Sequence, residues 1–155
     1  MQFDPERSTA AGYWRVAAEY AAAGQLTLQH SNRLLFPVMQ LHGQAIELSL
    51  KAFLLKRGTS LHQVEAMRHR LTDVLQAARA RRLGTEVKLS PRDVAMIELL
   101  DQNYSKHRFR YIVTGATRVP EVAQLSQLTH RLVVGLEKYC TGMQWGLARF
   151  VKPKR

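Results

Sequence analysis

The sequence predicts an all-α fold, a single up-and-down bundle of about five helices. Helix-start signals recur along the chain, with a capping residue directly before a proline at Asp4-Pro5 and at Ser90-Pro91. Between these signals apolar residues repeat every three or four positions, as they do on the buried face of a helix. The β-prone run at residues 112–115 is too short to build a sheet. At 155 residues the chain has the length of one domain that can bury its own core.

The first helix is predicted to begin at Asp4-Pro5-Glu6, where an acidic N-cap precedes a proline and a second acid. It continues through Tyr13–Tyr20 and reaches the region of Gly24. Trp14 shares one face of this helix with alanines, so we expect that face to pack against the rest of the bundle.

The second helix is expected to lie at the centre of the bundle. It enters at Leu34–Pro37, continues to Arg57 and stops at Gly58. Its middle is apolar on most faces, which is typical of a helix surrounded by others. Gly43, inside this helix, is expected to let a neighbouring helix approach closely.

A polar stripe runs along this central helix. Its members step by four, three and four positions, and they are Gln40, Gln44, Glu47 and Lys51. A glutamate four residues before a lysine is the orientation in which the two side chains can meet. Either charge would be costly if it were buried without a partner. The stripe is therefore either a buried structural network or the floor of a site, and both interpretations stay open.

Four more helical segments are predicted from caps and spacing. They are Leu61–Met67 after Ser60, Leu71–Leu83 before Gly84, the segment from Ser90-Pro91 through Tyr104, and the segment from Val119-Pro120 through Tyr139. The helical domain is expected to span residues 1–142. Residues 143–155 are expected to form a basic C-terminal tail.

Composition and charge narrow the possible functions. The formal net charge is +11, and residues 102–155 alone hold ten Lys and Arg against two acids, so the chain should attract polyanions such as RNA. The single cysteine, Cys140, excludes an intrachain disulfide and fits a reducing compartment. Without a signal peptide or a long apolar run, we expect a cytoplasmic protein that does not enter a membrane.

Motifs for metals, cofactors and nucleophilic catalysis are missing from the sequence. The six histidines include no pair at helical ligand spacing and no HExxH pattern. Neither a P-loop nor a Rossmann glycine pattern occurs, and no GxSxG motif is present. We therefore expect no metal and no cofactor.

The strongest candidate binding surface is segment 104–111, in which cations alternate with aromatic rings. Its proposed nucleotide- or RNA-binding residues are Tyr104, Lys106, Arg108, Arg110 and Tyr111. Arginine can bind phosphate with two parallel hydrogen bonds, and aromatic rings can stack on bases. The alternative is that the rings pack into the core while the cations face water.

A second group is expected to organise this pocket from behind, and it consists of Gln44, Glu47, Lys51 and His69. His69 lies just before a predicted helix. It is expected either to help cap that helix or to meet the polar stripe.

The order of these motifs resembles the HEPN superfamily. The resemblance is carried by four segments: Ala45–Gly58, His69–Ala78, Leu89-Ser90 through Tyr104, and Phe109-Arg110-Tyr111. It covers roughly residues 35–140. It implies a helical bundle, frequent homodimers, and association with RNA cleavage, toxin–antitoxin or phage-defence systems, or nucleotide binding.

The chain departs from the catalytic pattern of that family. Catalytic members carry an arginine and, four to six residues later, a histidine near a late helix, whereas Arg57 and His62 match this spacing only in the loop after the central helix. The leading expectation is therefore a non-catalytic HEPN-like module that binds nucleotide or RNA. One alternative is a metal-independent ribonuclease toxin that uses Arg57 and His62. Another is an adaptor that binds an acidic partner such as an antitoxin.

Overall fold

The structure, a computed structural model, describes residues 8–111, 114–144 and 150. This part of the chain contains six α-helices, one short 3-10 helix and no strand. The helices are α1 (Ala10–His30), α2 (Leu35–Lys56), α3 (Leu61–Ala66), α4 (Leu71–Ala80), α5 (Pro91–Tyr104) and α6 (Val122–Thr141), with the 3-10 turn at Leu83–Thr85. The predicted all-α helical bundle is confirmed.

The central position of α2 is also confirmed. This helix packs against α1, α3, α4, α5 and α6, and its apolar side chains, such as Ile46, Leu50 and Phe53, are fully buried. The Trp14 indole of α1 donates a hydrogen bond to the Val133 carbonyl of α6 at 2.7 Å. The bundle therefore closes around α2, and any polar group on that helix has to find its partners inside the protein.

Local sequence signals fixed several helix ends as predicted. Ser60 and Ser90 both form capping boxes, in which the serine side chain and the third residue of the helix satisfy each other's backbone amides. Gly58 ends α2 as predicted, and Gly142 ends α6 in the same way without having been predicted to do so, both with positive φ. These signals act over three or four residues, so they need no tertiary information.

Three predicted helix ends differ from the structure, and one of them is the start of the last helix, which lies at Val122 after the N-cap Glu121 and not at Val119-Pro120. The start at Asp4-Pro5-Glu6 lies outside the described residues, and α1 begins at Ala10 after the N-cap Thr9 and continues to His30. The helix predicted to reach Leu83 ends at Ala80, because Arg82 adopts a left-handed conformation with φ of 64°. A left-handed arginine leaves no sequence signal, since glycine is the residue expected there.

The remaining expectations concern the last third of the chain. Residues 112 and 113 of the β-prone run lie outside the described part, and Thr114 and Gly115 form no strand. Most of the predicted basic tail, residues 145–149 and 151–155, also lies outside it, although Phe150 is partly buried against the core. No helix in the described ranges has the length and apolar character needed to cross a membrane.

Candidate functional site

The site begins with the glycine inside α2. An added Cβ at Gly43 would lie 2.4 Å from Cδ2 of Tyr104, far inside van der Waals contact. The prediction that Gly43 allows close approach is therefore confirmed. The space it leaves lets the Tyr104 ring of α5 lie flat against α2, only 2% exposed, with its hydroxyl directed at the polar stripe.

Glu47 is the hub of a buried polar cluster. Its side chain is 2% exposed, and its carboxylate accepts hydrogen bonds from Lys51 Nζ at 2.7 Å and from Tyr104 Oη at 2.5 Å. His69 Nδ1 lies 3.0 Å from the same carboxylate. A carboxylate has no proton to give, so Nδ1 must be the donor of this contact. The stripe thus meets His69, as one of the two expectations for that residue stated.

Tyr104 serves as a neutral hydrogen-bond donor in this cluster. Burial raises the pKa of its phenol, and the charge of Glu47 and the hydrogen bond to it raise this pKa further. Gln44 Oε1 lies 2.9 Å from the same phenol oxygen. A phenol has one hydroxyl proton, and the shorter contact assigns it to Glu47, while the Gln44 amide lies next to the same hydroxyl.

Lys51 links the cluster to the connection between α3 and α4. Besides Glu47, its ammonium contacts the backbone carbonyl of Arg68 at 2.5 Å. Arg68 has φ of 49°, a left-handed conformation that is uncommon outside glycine. The hydrogen bond from Lys51 helps to hold this strained turn in place.

An open cleft of about 540 Å³ lies in front of the cluster. It is lined by Lys51, Glu65, Arg68, His69, Arg70, Ser105 and His107. The rings of His69 and His107 meet edge to face, with centroids 5.1 Å apart. Because Nδ1 of His69 is held by Glu47, its Nε2 is the ring nitrogen left to contact a ligand.

His107 repeats the unusual backbone of Arg68 on the opposite side of the cleft. Its φ is 56°, and it follows the end of α5 as Arg68 follows the end of α3. Strained residues cluster at functional sites, where the surrounding structure has to hold them. The third left-handed residue of this kind in the described chain, Arg82, lines a different pocket.

The structure places Tyr104 in the core, which the sequence left open as the alternative for the rings of this segment. A ring that is 2% exposed cannot stack on a ligand, so Tyr104 has a positioning role through its contact with Glu47. Tyr111 is exposed and lies edge to face with His107 at 6.4 Å between centroids. The Arg110 guanidinium lies 6.0 Å from the Tyr111 ring. Arg110 and Tyr111 therefore extend the surface that starts at the cleft.

None of the five predicted binding residues lines the cleft itself, and two of them lie away from Arg110 and Tyr111 as well. Arg108 lines a separate small cavity of about 40 Å³, together with Phe36, Phe109 and the loop at residues 114–117. Lys106 is exposed in the turn after α5 and is not among the residues lining the cleft. Neighbours in sequence diverge here because the turn directs successive side chains to different sides.

The residues of the alternative catalytic pair, Arg57 and His62, do not line the cleft. The Arg57 guanidinium lies 5.1 Å from the Phe53 ring and 4.9 Å from the Tyr139 ring, and it donates to Thr85 Oγ1 at 2.7 Å. These contacts tie α2, α6 and the 3-10 turn together. His62 is exposed in the first turn of α3.

The sequence assigned no role to Glu65, Arg68 and Arg70 of the cleft, nor to Ser105 and His107, although these last two lie within the candidate segment 104–111. Helical spacing could not assign Arg68, Arg70 and His107 to the cleft, because they lie in irregular connections whose conformation depends on contacts with α2 and α5. The Cys140 thiol is buried, which raises its pKa to about 12, so it is a poor nucleophile. Among the described side chains no group of His, Cys, Asp and Glu is arranged to hold a metal ion.

Comparison of the chain with protein-family models gave no match, and comparisons with curated proteins and with solved structures gave none either. We therefore infer the function from the chemistry of the cleft.

Proposed function

We propose that the cleft in front of Glu47 binds a phosphate-bearing ligand, a nucleotide or RNA, and that the protein is a non-catalytic HEPN-like module of the cytoplasm. The observation that carries this proposal is the meeting of cations and imidazoles on one concave surface. Lys51, Arg68, Arg70, His69 and His107 all line it. Hydrogen bonds from charged donors to phosphate are among the stronger ones in proteins.

The HEPN-like assignment has support from how the resembling segments meet. Glu47 and Lys51 come from the first segment, His69 from the second and Tyr104 from the third, and they form one hydrogen-bonded cluster. Separate weak motifs that converge on one cluster are less easily explained by chance than motifs scattered over the surface.

Arg68 offers a sharp test of the binding site. In Arg68→Gly the guanidinium is lost while the left-handed backbone becomes easier to adopt, so folding should not suffer. Arg82→Gly is the matched control, because it removes the same charge from another left-handed position. We expect Arg68→Gly to weaken RNA binding about tenfold and Arg82→Gly to change it little. Arg110→Ala should weaken it less than Arg68→Gly.

The measurement is fluorescence anisotropy with labelled short RNA and with labelled nucleotides, at low and at physiological salt. Absence of binding at low salt would remove the proposal. Equal weakening by Arg68→Gly and Arg82→Gly would mean that RNA is held by general electrostatic attraction and not at the cleft.

A second candidate function is metal-independent cleavage of RNA at the cleft. The observation that favours it is the carboxylate-held imidazole of His69 with a second imidazole beside it, since this cleavage needs a base and an acid near the phosphate. Incubating RNA with the wild type, with His69→Gln and with His62→Ala tests it. Degradation lost only in His69→Gln would support cleavage, and no degradation by the wild type would exclude it.

The partners implied by the resemblance are further parts of this proposal. An exposed apolar row on α1, which includes Val16 and Tyr20, is a surface on which a homodimer could form, and sedimentation of the wild type and of Val16→Glu would test it. An acidic partner protein, such as an antitoxin, is the adaptor alternative. Pull-down from the host with and without nuclease treatment separates that partner from RNA.

A further inference from the structure

Carboxylates offset most of the permanent positive charge in and around the cleft. Lys51, Arg68 and Arg70 are matched by Glu47, Glu65 and Asp73, and Arg110 beside the cleft adds one further positive charge. Lys51 pairs with Glu47 at 2.7 Å, and Arg70 Nε pairs with Asp73 at 2.9 Å. Two protonated imidazoles therefore supply the larger share of the net positive charge that a ligand meets.

The two imidazoles are placed to act on one anion. Their centroids are 5.1 Å apart, His69 Nδ1 is occupied by Glu47, and both residues line the cleft. An imidazolium donates from both nitrogens, so His69 can take up a proton without losing its contact with Glu47. Two positive rings at this separation repel each other unless an anion lies between or beside them.

We propose that the cleft binds a terminal phosphate as a dianion and that His69 and His107 become protonated as it binds. This inference rests on the proposed function and adds the substrate class and its proton linkage. A phosphate monoester carries about two negative charges at neutral pH, which matches two imidazolium ions. An internal phosphodiester carries one, so it leaves one imidazolium charge unbalanced.

Several other charged or titratable groups face the two rings. They are Glu47 and Lys51 of α2, Glu65 of α3, Arg68 and Arg70 of the following connection, and Tyr104, Arg110 and Tyr111 of α5 and the turn after it. Of these side-chain types and histidine, only imidazole ordinarily changes its charge between pH 5 and 8. Protons taken up in this range therefore report on His69 and His107.

The terminal phosphate can belong to a mononucleotide or to an RNA end, and both present the same monoester. Three probes separate these sources: adenosine 5′-monophosphate, a six-nucleotide RNA with a 5′-phosphate, and the same RNA with a 5′-hydroxyl. Binding of both phosphorylated probes would assign the site to the phosphate group alone. Binding of the phosphorylated RNA only would assign it to RNA ends, and either result supports the proposal.

The experiment is isothermal titration calorimetry of the full chain at pH 7.5, in two buffers that differ in their enthalpy of ionisation. At this pH a phosphate monoester is already mostly doubly charged, so protons taken up go to the protein. We expect uptake of one to two protons (about the number of imidazoles available) with phosphorylated probes. Affinity should then fall about tenfold per pH unit for each proton taken up.

His107→Asn is the main variant, because asparagine tolerates the left-handed backbone that His107 adopts. We expect it to lower the proton uptake and weaken the binding of phosphorylated RNA. His69→Gln is the second variant, in case His107→Asn disturbs the turn, and it should have the same effect. His130→Gln is the control, because His130 is exposed on α6 and lines a different pocket.

Three results separate failure of this inference from failure of the proposed function. Binding of phosphorylated RNA without proton uptake would overturn the proton linkage. Equal affinity for the 5′-hydroxyl RNA would overturn the preference for a terminal phosphate. If none of the three probes binds, the proposed function itself falls.

Discussion

Glu47 and Asp93 are both buried carboxylates that pair with a cation, but the regions around them differ. Asp93 lies in the first turn of α5, where it accepts from the Ser90 amide and from Arg131, whose Nη2 is 2.6 Å away. Arg131 is half exposed. Glu47 lies in the middle of α2, and its cation Lys51 is nearly as buried as the acid itself.

The difference shows that a buried carboxylate paired with a cation can serve two purposes. The Asp93 carboxylate is used by a capping box and a surface arginine, so it secures a helix end and adjoins none of the cleft residues. The Glu47 carboxylate holds an ammonium, a phenol and an imidazole from three parts of the chain. Two of these donors, Lys51 and His69, also line the cleft, and this placement gives the Glu47 cluster its expected role in binding.

The largest expected effect comes from breaking the buried ion pair. Glu47→Gln leaves Lys51 buried without its counter-charge, and we expect the free energy of unfolding to fall by about 3–5 kcal/mol in urea denaturation. Adding Lys51→Met should recover part of this loss, because the unpaired ammonium is then gone. If Glu47→Gln costs no more than Asp93→Asn, the distinction between the two regions fails.

His42 extends the comparison to a buried side chain that, unlike either carboxylate, forms no hydrogen bond with the described residues. It is 1% exposed, and neither ring nitrogen has a partner among the described residues. Burial lowers the pKa of His42 to about 4. The folded state therefore binds fewer protons than the unfolded state, and stability is lost as pH falls from the ordinary imidazole pKa of about 6.5 toward 4.

The variant His42→Leu isolates this effect. Between pH 7 and pH 4 we expect the wild type to lose about 3 kcal/mol relative to the variant, because one pKa unit corresponds to about 1.4 kcal/mol. Urea denaturation at several pH values measures the difference, with the exposed His130→Gln as a flat control. If the stability difference between wild type and variant does not change with pH, folding does not lower the pKa of His42 and the explanation fails.

Packing under the Glu47 cluster gives the next effect. Gly43→Ala places a methyl group 2.4 Å from the Tyr104 ring, so the ring and its hydrogen bond to Glu47 must shift. We expect a loss of about 1–3 kcal/mol and a change in the near-ultraviolet circular dichroism of tyrosine. Gly84→Ala is the matched control, since nothing lies within 4 Å of the added Cβ. Equal stability of the two variants would contradict the tight contact.

The smallest effect is expected at Asp93. Burial alone would raise the pKa of this carboxyl, but hydrogen bonds from Arg131 and Ser90 outweigh burial and lower it. Its stabilising contribution is therefore present above the ordinary aspartate pKa and is lost as pH falls below it. Asp93→Asn should cost about 1 kcal/mol at pH 7 and less at pH 3. If Asp93→Asn costs more stability at pH 3 than at pH 7, the pKa of Asp93 is not lowered in the folded protein.

Much of the fold could be predicted because it depends on short-range signals. The Ser60 and Ser90 capping boxes need only residues within one turn, and the pairing of Glu47 with Lys51 follows from their spacing on one helix. Gly43 was interpretable because a glycine inside an apolar helix suggests close packing. The fold class followed from these signals and from helical periodicity.

The cleft could be predicted only in part. The sequence left open whether Tyr104 faces a ligand or the core, and packing against Gly43 decided for the core. It gave Arg108 the same role as Arg110, although Arg108 lines another cavity. His107 lies within the predicted segment 104–111 but received no role of its own, because only the left-handed turn after α5 brings it beside His69.

By itself the sequence determined the helical fold, the excess of positive charge and the acid and base on one face of the central helix. Each of these is a property of residue type and of spacing along one segment. Only the tertiary structure decided that Glu47 would also hold Tyr104 and His69 and that His69 and His107 would share one cleft. The physical reason is that these contacts join residues far apart in sequence, and the packing of α2, α5 and the α3–α4 connection sets their distances.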